Sequence, residues 1–393
     1  MADIERLRDW LDHISASDRV LFAKRLSAND TGQTGGHQAG FYVTKGLART
    51  IAPGLFVDQH NPRQSLRFDL LSHDQRSSPD LIYYNSRVVL RQPNGRDELR
   101  VTGFGGASSA LQQPGNTGAI LVTAWERSGR RVEAWLAGDL EEEEAVETVL
   151  GPVEPGTKVQ RLEAADGQLG LFVEAPATCD PDISELPDDW ARAFPAGRDL
   201  TSEAVRRRPA SGQTVDARLV SRYRCEFGLF KVIETAHVLP LIGAGFGTVD
   251  DFLAIAQTVA NRRKARAGRS LELHLATVFD EERVAYETGK TTEGNRRPDF
   301  LFPSFDAYHS GEVTRMLGVK TSVKERWRQV LDEAARIPEK HLFTLSEGVS
   351  EEQFRQMAGA GIRLVVPASN VVRFPATVRP HLTTLAGFVG LLR

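Results

Sequence analysis

Four short apolar runs constrain the second half of this chain more than any other feature. They are "DFLFP" (299–303), "LGVKT" (317–321), "HLFTL" (341–345) and "IRLVVP" (362–367). Each is of strand length and helical patterning separates them, the signature of an α/β sheet with helices on its faces. Longer helical patterns precede them at 218–239, 249–264 and 270–279. Residues 1–175 follow a different grammar. Ile4, Leu7, Leu11 and Ile14 sit at helical spacing, and short strands broken by turns come after them. Strands flanking Pro93-Asn94-Gly95 (86–101) and Ser128-Gly129 (119–138) predict hairpins, and "LEEEEAVETVL" (140–150) predicts an acidic helix. Many short strands with two helices predict a small barrel. Between the halves, "PATCDPDISELP" (176–187) is acidic, proline-rich and aperiodic, and reads as a linker. The expected domains are therefore 1–175 and 188–393.

A length of 393 residues suits two or three domains. The net charge of −3 excludes a polycation that holds nucleic acid by bulk attraction, so any such binding must come from local basic patches. Cys179 and Cys225 lack metal-ligand spacing, and neither a disulfide framework nor a zinc site is expected. The start, "MADIERLRDWLDH", has no apolar signal core, and no later stretch reads as membrane-spanning. A reducing, cytoplasmic setting without membrane partners is the expectation.

Asp299 stands at the lip of an apolar strand, where a lone charge is costly without a partner. Lys320 ends the next strand, and a helix is predicted from about Ser322 to Arg336. Its buried stripe would be Trp327, Val330, Leu331 and Ala334, with Arg326 and Glu333 on one face two turns apart. Asp299, Lys320 and Glu333 would then meet. Two carboxylates and a lysine suit metal-assisted phosphodiester hydrolysis: the acids hold a hard cation such as Mg²⁺, and the lysine orients water. The same spacing also suits a salt-bridge network at a sheet rim. Glu272, set among leucines, reads either as a further site carboxylate or as an exposed helix residue. The basic run "NRRKARAGRS" (261–270) and Arg296-Arg297 suit a cleft for a polyanion, or a solvated face.

At these residues the chain resembles the EcoRII-type (type IIE) restriction endonucleases. The matching stretches are "SLELHL" (270–275), "TEGNRRPDFLFPS" (292–304), "KERWRQVLDEA" (324–334), "HLFTLSEGVS" (341–350) and "IRLVVP", with "RLSANDTGQTGGHQAGFY" (25–42) and "YYNSR" (83–87) in the first half. The resemblance implies a C-terminal α/β PD-(D/E)XK nuclease domain preceded by a mainly β, B3-like pseudo-barrel that binds DNA. Gly318 replaces the superfamily's commonest second acid, and the resemblance implies that Glu333 supplies it. It implies Asp299 and Glu333 as Mg²⁺ ligands, Lys320 as the catalytic lysine, and Glu272 at a further acidic position. It also implies Lys324-Glu325-Arg326 as readers of C·G pairs, and Tyr223 and Phe227 as rings that stack flipped bases, with the family's usual arginine replaced. The implied activity is Mg²⁺-dependent double-strand cleavage at 5′-CC(A/T)GG, before the first C, by a homodimer joined through its C-terminal domains.

In the first half, the glycine-rich loop 27–42 is an ordinary loop or an arm entering the major groove, with His37 and Tyr42 touching DNA. A second arm would carry Arg87, Arg91, Arg96, Glu98 and Arg100. The resemblance implies that these arms bind a second target copy, and that the domain blocks the cleft until they do. The rivals are a B3-like regulator with a decayed nuclease, a repair-type nickase that shares the nuclease core, and an endonuclease of altered specificity.

Overall fold

The computed structural model describes residues 2–34, 39–163, 169–174, 179–312 and 314–393; of these, the side chains of 2, 3, 161–163 and 169–174 are not described. The chain forms two compact units. The first comprises Met1–Glu174 with Ser346–Arg355 and Val372–Pro380; the second is the rest. The units are therefore not divided at a single point of the chain. In the first, Ala28 N–H donates to the Glu347 carbonyl at 3.1 Å. A Cβ on Gly348, at φ +122°, would stand 2.6 Å from Ala28 Cβ.

The first unit has a seven-stranded and a four-stranded sheet. Strand Val20–Arg25 is buried along its whole length because it is covered on both sides. Val20 and Phe22 point into a core shared with Phe41, Leu81 and Leu99. Leu21 and Ala23 point the other way, onto Leu7, Leu11, Ile14 and Val146. That alternation follows from the two-residue period of a strand. The helices Ala2–Ala16 and Leu140–Leu150 lie where the sequence predicts them, the second capped by Asp139 accepting from Glu142 N–H. The hairpin over 86–101 differs: its strands are Asp80–Tyr84 and Glu98–Thr102, and residues Ser86–Val89 form a helical turn. Asn85, fully buried, causes the departure. Its side chain accepts from Asn61 N–H and donates to the Gln59 carbonyl, which pulls the chain out of the sheet.

The second unit holds a five-stranded sheet in the order Phe300–Phe302, Arg315–Lys320, Lys340–Thr344, Ile362–Val366, Thr383–Thr384. The first pairing is antiparallel and the others parallel. Phe300, Phe302, Leu317, Val319 and Phe343 pack on Leu271, Leu275, Val278 and Phe279 of a long helix. That helix is Val249–Glu281, one element where two were predicted. The residues between the predicted halves are good helix formers, and the one glycine, Gly268, costs only about 1 kcal/mol in a helix.

Helix Val215–Ala244 is, by length and composition, long enough and apolar enough to cross a membrane, which the sequence reading missed. Here its first part is a core element, with Leu219, Leu229, Phe230 and Ile233 buried and Arg222 in a bidentate pair with Glu281 at 2.9 Å, whereas Leu239, Leu241 and Ile242 near its end are exposed. The cysteines also correct the expectation, because Cys179 and Cys225 form a disulfide. The bond spans a sequence separation of 46, and by chain entropy a link of that length stabilises by about 4 kcal/mol. It pins the end of the acidic segment to the helix at Gly228, where a Cβ would stand 1.7 Å from the Cys179 carbonyl. With Leu186 and Trp190 buried beside it, the described part of that segment is anchored to the second unit.

Candidate active site

Asp299 finds two partners. Its Oδ2 accepts the Val319 N–H at 2.6 Å and lies 3.8 Å from Lys320 Nζ. Strand pairing sets this geometry. Phe300 stands opposite Leu317, so the residue just before the strand meets the far end of Arg315–Lys320. Leu317 and Val319 face the long helix, which leaves Gly318 and Lys320 on the opposite face.

Gly318 explains how Glu333 arrives. A Cβ at 318 would lie 2.9 Å from both Cγ atoms of Val330. The bare glycine lets the segment after the strand fold back and seat Val330 on the sheet. The predicted helix over 322–336 is not there. Arg326–Val330 is a 3-10 helix, turns follow, and Ala334 has φ 47°. Arg326 and Glu333 therefore do not share a helix face. Trp327, Val330 and Ala334 are buried as predicted, and Leu331 is half-buried. Gly318→Ala is expected to push Val330 outward and displace Glu333. We expect the cleavage rate to fall by roughly tenfold or more, about 1.4 kcal/mol on the barrier, with DNA affinity little changed. A gel cleavage assay beside a binding assay checks this, and unchanged cleavage would show that the packing does not place Glu333.

Glu272, on the long helix, is held by Arg269 one turn before it. Three carboxyls are pushed up here. Burial raises Glu333 to about 7, helped by the charge of Asp299 and opposed by Lys320. Burial also raises Asp299, against the pull of Lys320 and the Val319 N–H. Glu272 is raised by burial and then by Asp299. Glu333 Oε2 is buried without a hydrogen-bond partner. Converging, mutually repelling acids with an unsatisfied oxygen fit a hard cation. Among the described residues no three His, Cys, Asp or Glu side chains form a ready cage. An ion such as Mg²⁺, which keeps several waters and takes one or two protein carboxylates, suits that arrangement.

Of the proposed reading triplet, Lys324 is buried, so it meets no base edge in this conformation. Glu325 and Arg326 are half-exposed, and Glu325 pairs with Arg328. Tyr223 is buried in the core, edge-on to His274, whereas Phe227 is half-exposed. Arg266 of the long helix lies over the Phe227 ring at 4.5 Å and over Tyr223 at 5.1 Å. An arginine does reach these rings, from the neighbouring helix. Much of the basic run is engaged in the same way: Arg262 covers Phe194 and Arg263 pairs with Glu234.

In the first unit, Arg87, Arg91 and Arg96 are exposed and Glu98 half-exposed. Arg100 is a correction. It is 9% exposed and donates to the Gly40 carbonyl at 2.8 Å, with Asp30 at 3.5 Å, so it braces the loop from within. Tyr42 is half-buried under Lys158. His37 lies outside the described residues.

Residues 15–164 match the family described as restriction endonuclease EcoRII, N-terminal, and residues 230–389 match EcoRII C terminal. Type II restriction enzyme EcoRII of Escherichia coli is 40% identical over 398 residues, spanning 98% of this chain and 96% of that one. The chain belongs to the EcoRII restriction endonuclease family. It is accordingly a type II site-specific deoxyribonuclease acting on double-stranded DNA. Solved structures resembling it include metal-depleted Ecl18kI with uncleaved, modified DNA, at 18% identity and TM-score 0.43, covering 50% of this chain and 77% of that one. A PspGI–substrate DNA complex gives 16% identity and TM-score 0.41, covering 54% and 96%.

Arg266 and Arg269 were not singled out in the sequence, and the fold sets them against Phe227 and Glu272. Each lies on the long helix and acts on a partner through tertiary packing or helix pitch. The basic run signalled that arginines were there, and nothing in it signalled their partners.

Proposed function

We propose that this enzyme is of type IIE: a homodimer that hydrolyses both strands at 5′-CC(A/T)GG, before the first C, and binds a second target copy through its N-terminal unit. The observation that carries the catalytic reading is Lys320 facing Asp299, with the buried and unpartnered Glu333 Oε2 in the same charge cluster. Asp299 and Glu333 are the ligands for Mg²⁺, with Glu272 beside them. Bound there, the ion supplies positive charge to the scissile phosphate and acidifies a water. Lys320 orients the attacking water and meets the charge that grows on the phosphoryl oxygens. The water oxygen bonds to phosphorus and gives up one proton to solvent, the bond to the 3′ oxygen breaks, and that oxygen takes up a proton from solvent. Glu325 accepts from cytosine N4 and Arg326 donates to guanine. A base flipped from the central pair stacks on Phe227, where Arg266 now lies.

The dimer reading rests on the tip where helices Val215–Ala244 and Val249–Glu281 meet. Leu239, Leu241, Ile242, Val249, Phe252 and Leu253 are all exposed there. An apolar patch of this kind marks an interaction surface, and a second copy supplies the second active site that a double-strand cut requires. The N-terminal arm with Tyr42, Arg87, Arg91, Arg96 and Glu98 takes the second DNA. We place the enzyme in the cytoplasm, where its DNA substrate lies.

DNA with one target should be cut slowly, and more quickly when a second target is added in trans. Ile242→Asp should sediment as a single chain and nick rather than cut. Equal rates on one-site and two-site DNA would remove the effector role. A wild-type monomer that cuts both strands would remove the dimer.

A further inference from the structure

The loop between strands Asp80–Tyr84 and Glu98–Thr102 presents Val88 and Leu90 to solvent at 54% and 48% exposure. The same loop carries exposed arginines at 87, 91 and 96, the last over the Tyr84 ring. The loop is built to hold this shape. Arg87 N–H donates to the Arg96 carbonyl at 2.9 Å, and Arg96 N–H donates to Ser86 Oγ at 2.9 Å. Gly95 lets those strands of loop meet, since a Cβ there would stand 2.6 Å from Arg87 N. Asp97 ties the base down through Lys45 at 2.7 Å and Tyr83 at 2.8 Å. Arg91 adopts φ 50°, the left-handed region that non-glycine residues avoid unless their surroundings enforce it.

An exposed apolar pair on a braced loop that also carries three exposed arginines calls for a partner that is a polyanion with an apolar feature at its surface. The major groove has one such feature, the thymine C5-methyl group. We propose that Val88 and Leu90 are a methyl reader, pressing on thymine methyls of the DNA that the N-terminal unit binds, while the arginines engage phosphates. The proposal rests on the reading of that unit as a binder of a second target copy.

The test uses the full-length enzyme cutting a labelled one-site DNA, stimulated by short target duplexes. One duplex has thymine throughout, and the other has deoxyuridine at every thymine, which removes only the methyls. For the wild type, the deoxyuridine duplex should need roughly fourfold more for half-maximal stimulation for each methyl contacted, the value of one buried methyl group. The double variant Val88→Thr, Leu90→Asn should respond to the two duplexes equally and keep its thermal midpoint, both positions being exposed. Three results would overturn the proposal: equal stimulation of the wild type by both duplexes, a variant that still discriminates, or a variant whose only change is its sedimenting mass, which would make the tip a protein contact. Failure of both duplexes to stimulate would instead overturn the effector reading, and this proposal with it.

Discussion

Replacing Lys320 by alanine is expected to slow cleavage by roughly a thousandfold or more, the scale of losing one preorganised charge at a phosphoryl centre. DNA affinity should stay within a few-fold. The side chain ends a strand, stands 3.8 Å from Asp299 and is about one-fifth exposed, so it can reach a bound phosphate without supporting the core. It serves the water and the phosphorus rather than a base edge. Single-turnover cleavage beside a binding assay separates the two effects. If Lys320→Ala cut at near wild-type rate, the nucleophile would have to be organised elsewhere.

Glu333→Gln should also abolish cleavage, and it should make the metal-free protein more stable at alkaline pH. The sign follows from linkage. Burial and the charge of Asp299 hold the folded Glu333 carboxyl at about 7, above its ordinary 4.5. Between those values the unfolded chain has lost the proton and the folded chain still keeps it. Folding stability therefore falls as pH rises through this window, by roughly 3 kcal/mol at most. Glutamine cannot ionise and escapes the loss. Thermal midpoints of the two proteins in EDTA should coincide near pH 4.5 and diverge by several degrees by pH 8, the variant higher. Adding Mg²⁺ should raise the wild type and close part of the gap, because binding to the folded state alone stabilises it. Parallel midpoint curves across that pH range would mean that Glu333 is not held in a desolvated, anionic cluster.

The site was legible where chain order and chemistry coincide. Asp299 and Lys320 each border an apolar strand, and antiparallel neighbours bring such ends together. The reach of Glu333 was legible only through the family resemblance, because the spacing argument invoked an α-helix. Trp327 and Val330 are three apart, which suits a 3-10 turn as well as an α-helical stripe. What decides between them is Gly318 receiving Val330, a contact across the sheet. Arg100 misled for a related reason. In the strand Glu98–Thr102 it faces away from Leu99 and Val101, as a groove-facing arginine would, but the loop carrying Asp30 covers it. Cys179 and Cys225 were dismissed on their spacing, and only the packing of residue 179 against Gly228 brings them together. The apolar runs of four strands and the helical patterns around them, by contrast, were legible from periodicity, although Val249–Glu281 was read as two helices.

Mapping the ends of a plasmid of known sequence, digested with and without Mg²⁺, tests the central claim most directly. The account predicts cuts on both strands before the first C of 5′-CC(A/T)GG, complete dependence on the added ion, and no cuts with Lys320→Ala. Cutting in EDTA, or ends that share no such sequence, would contradict it.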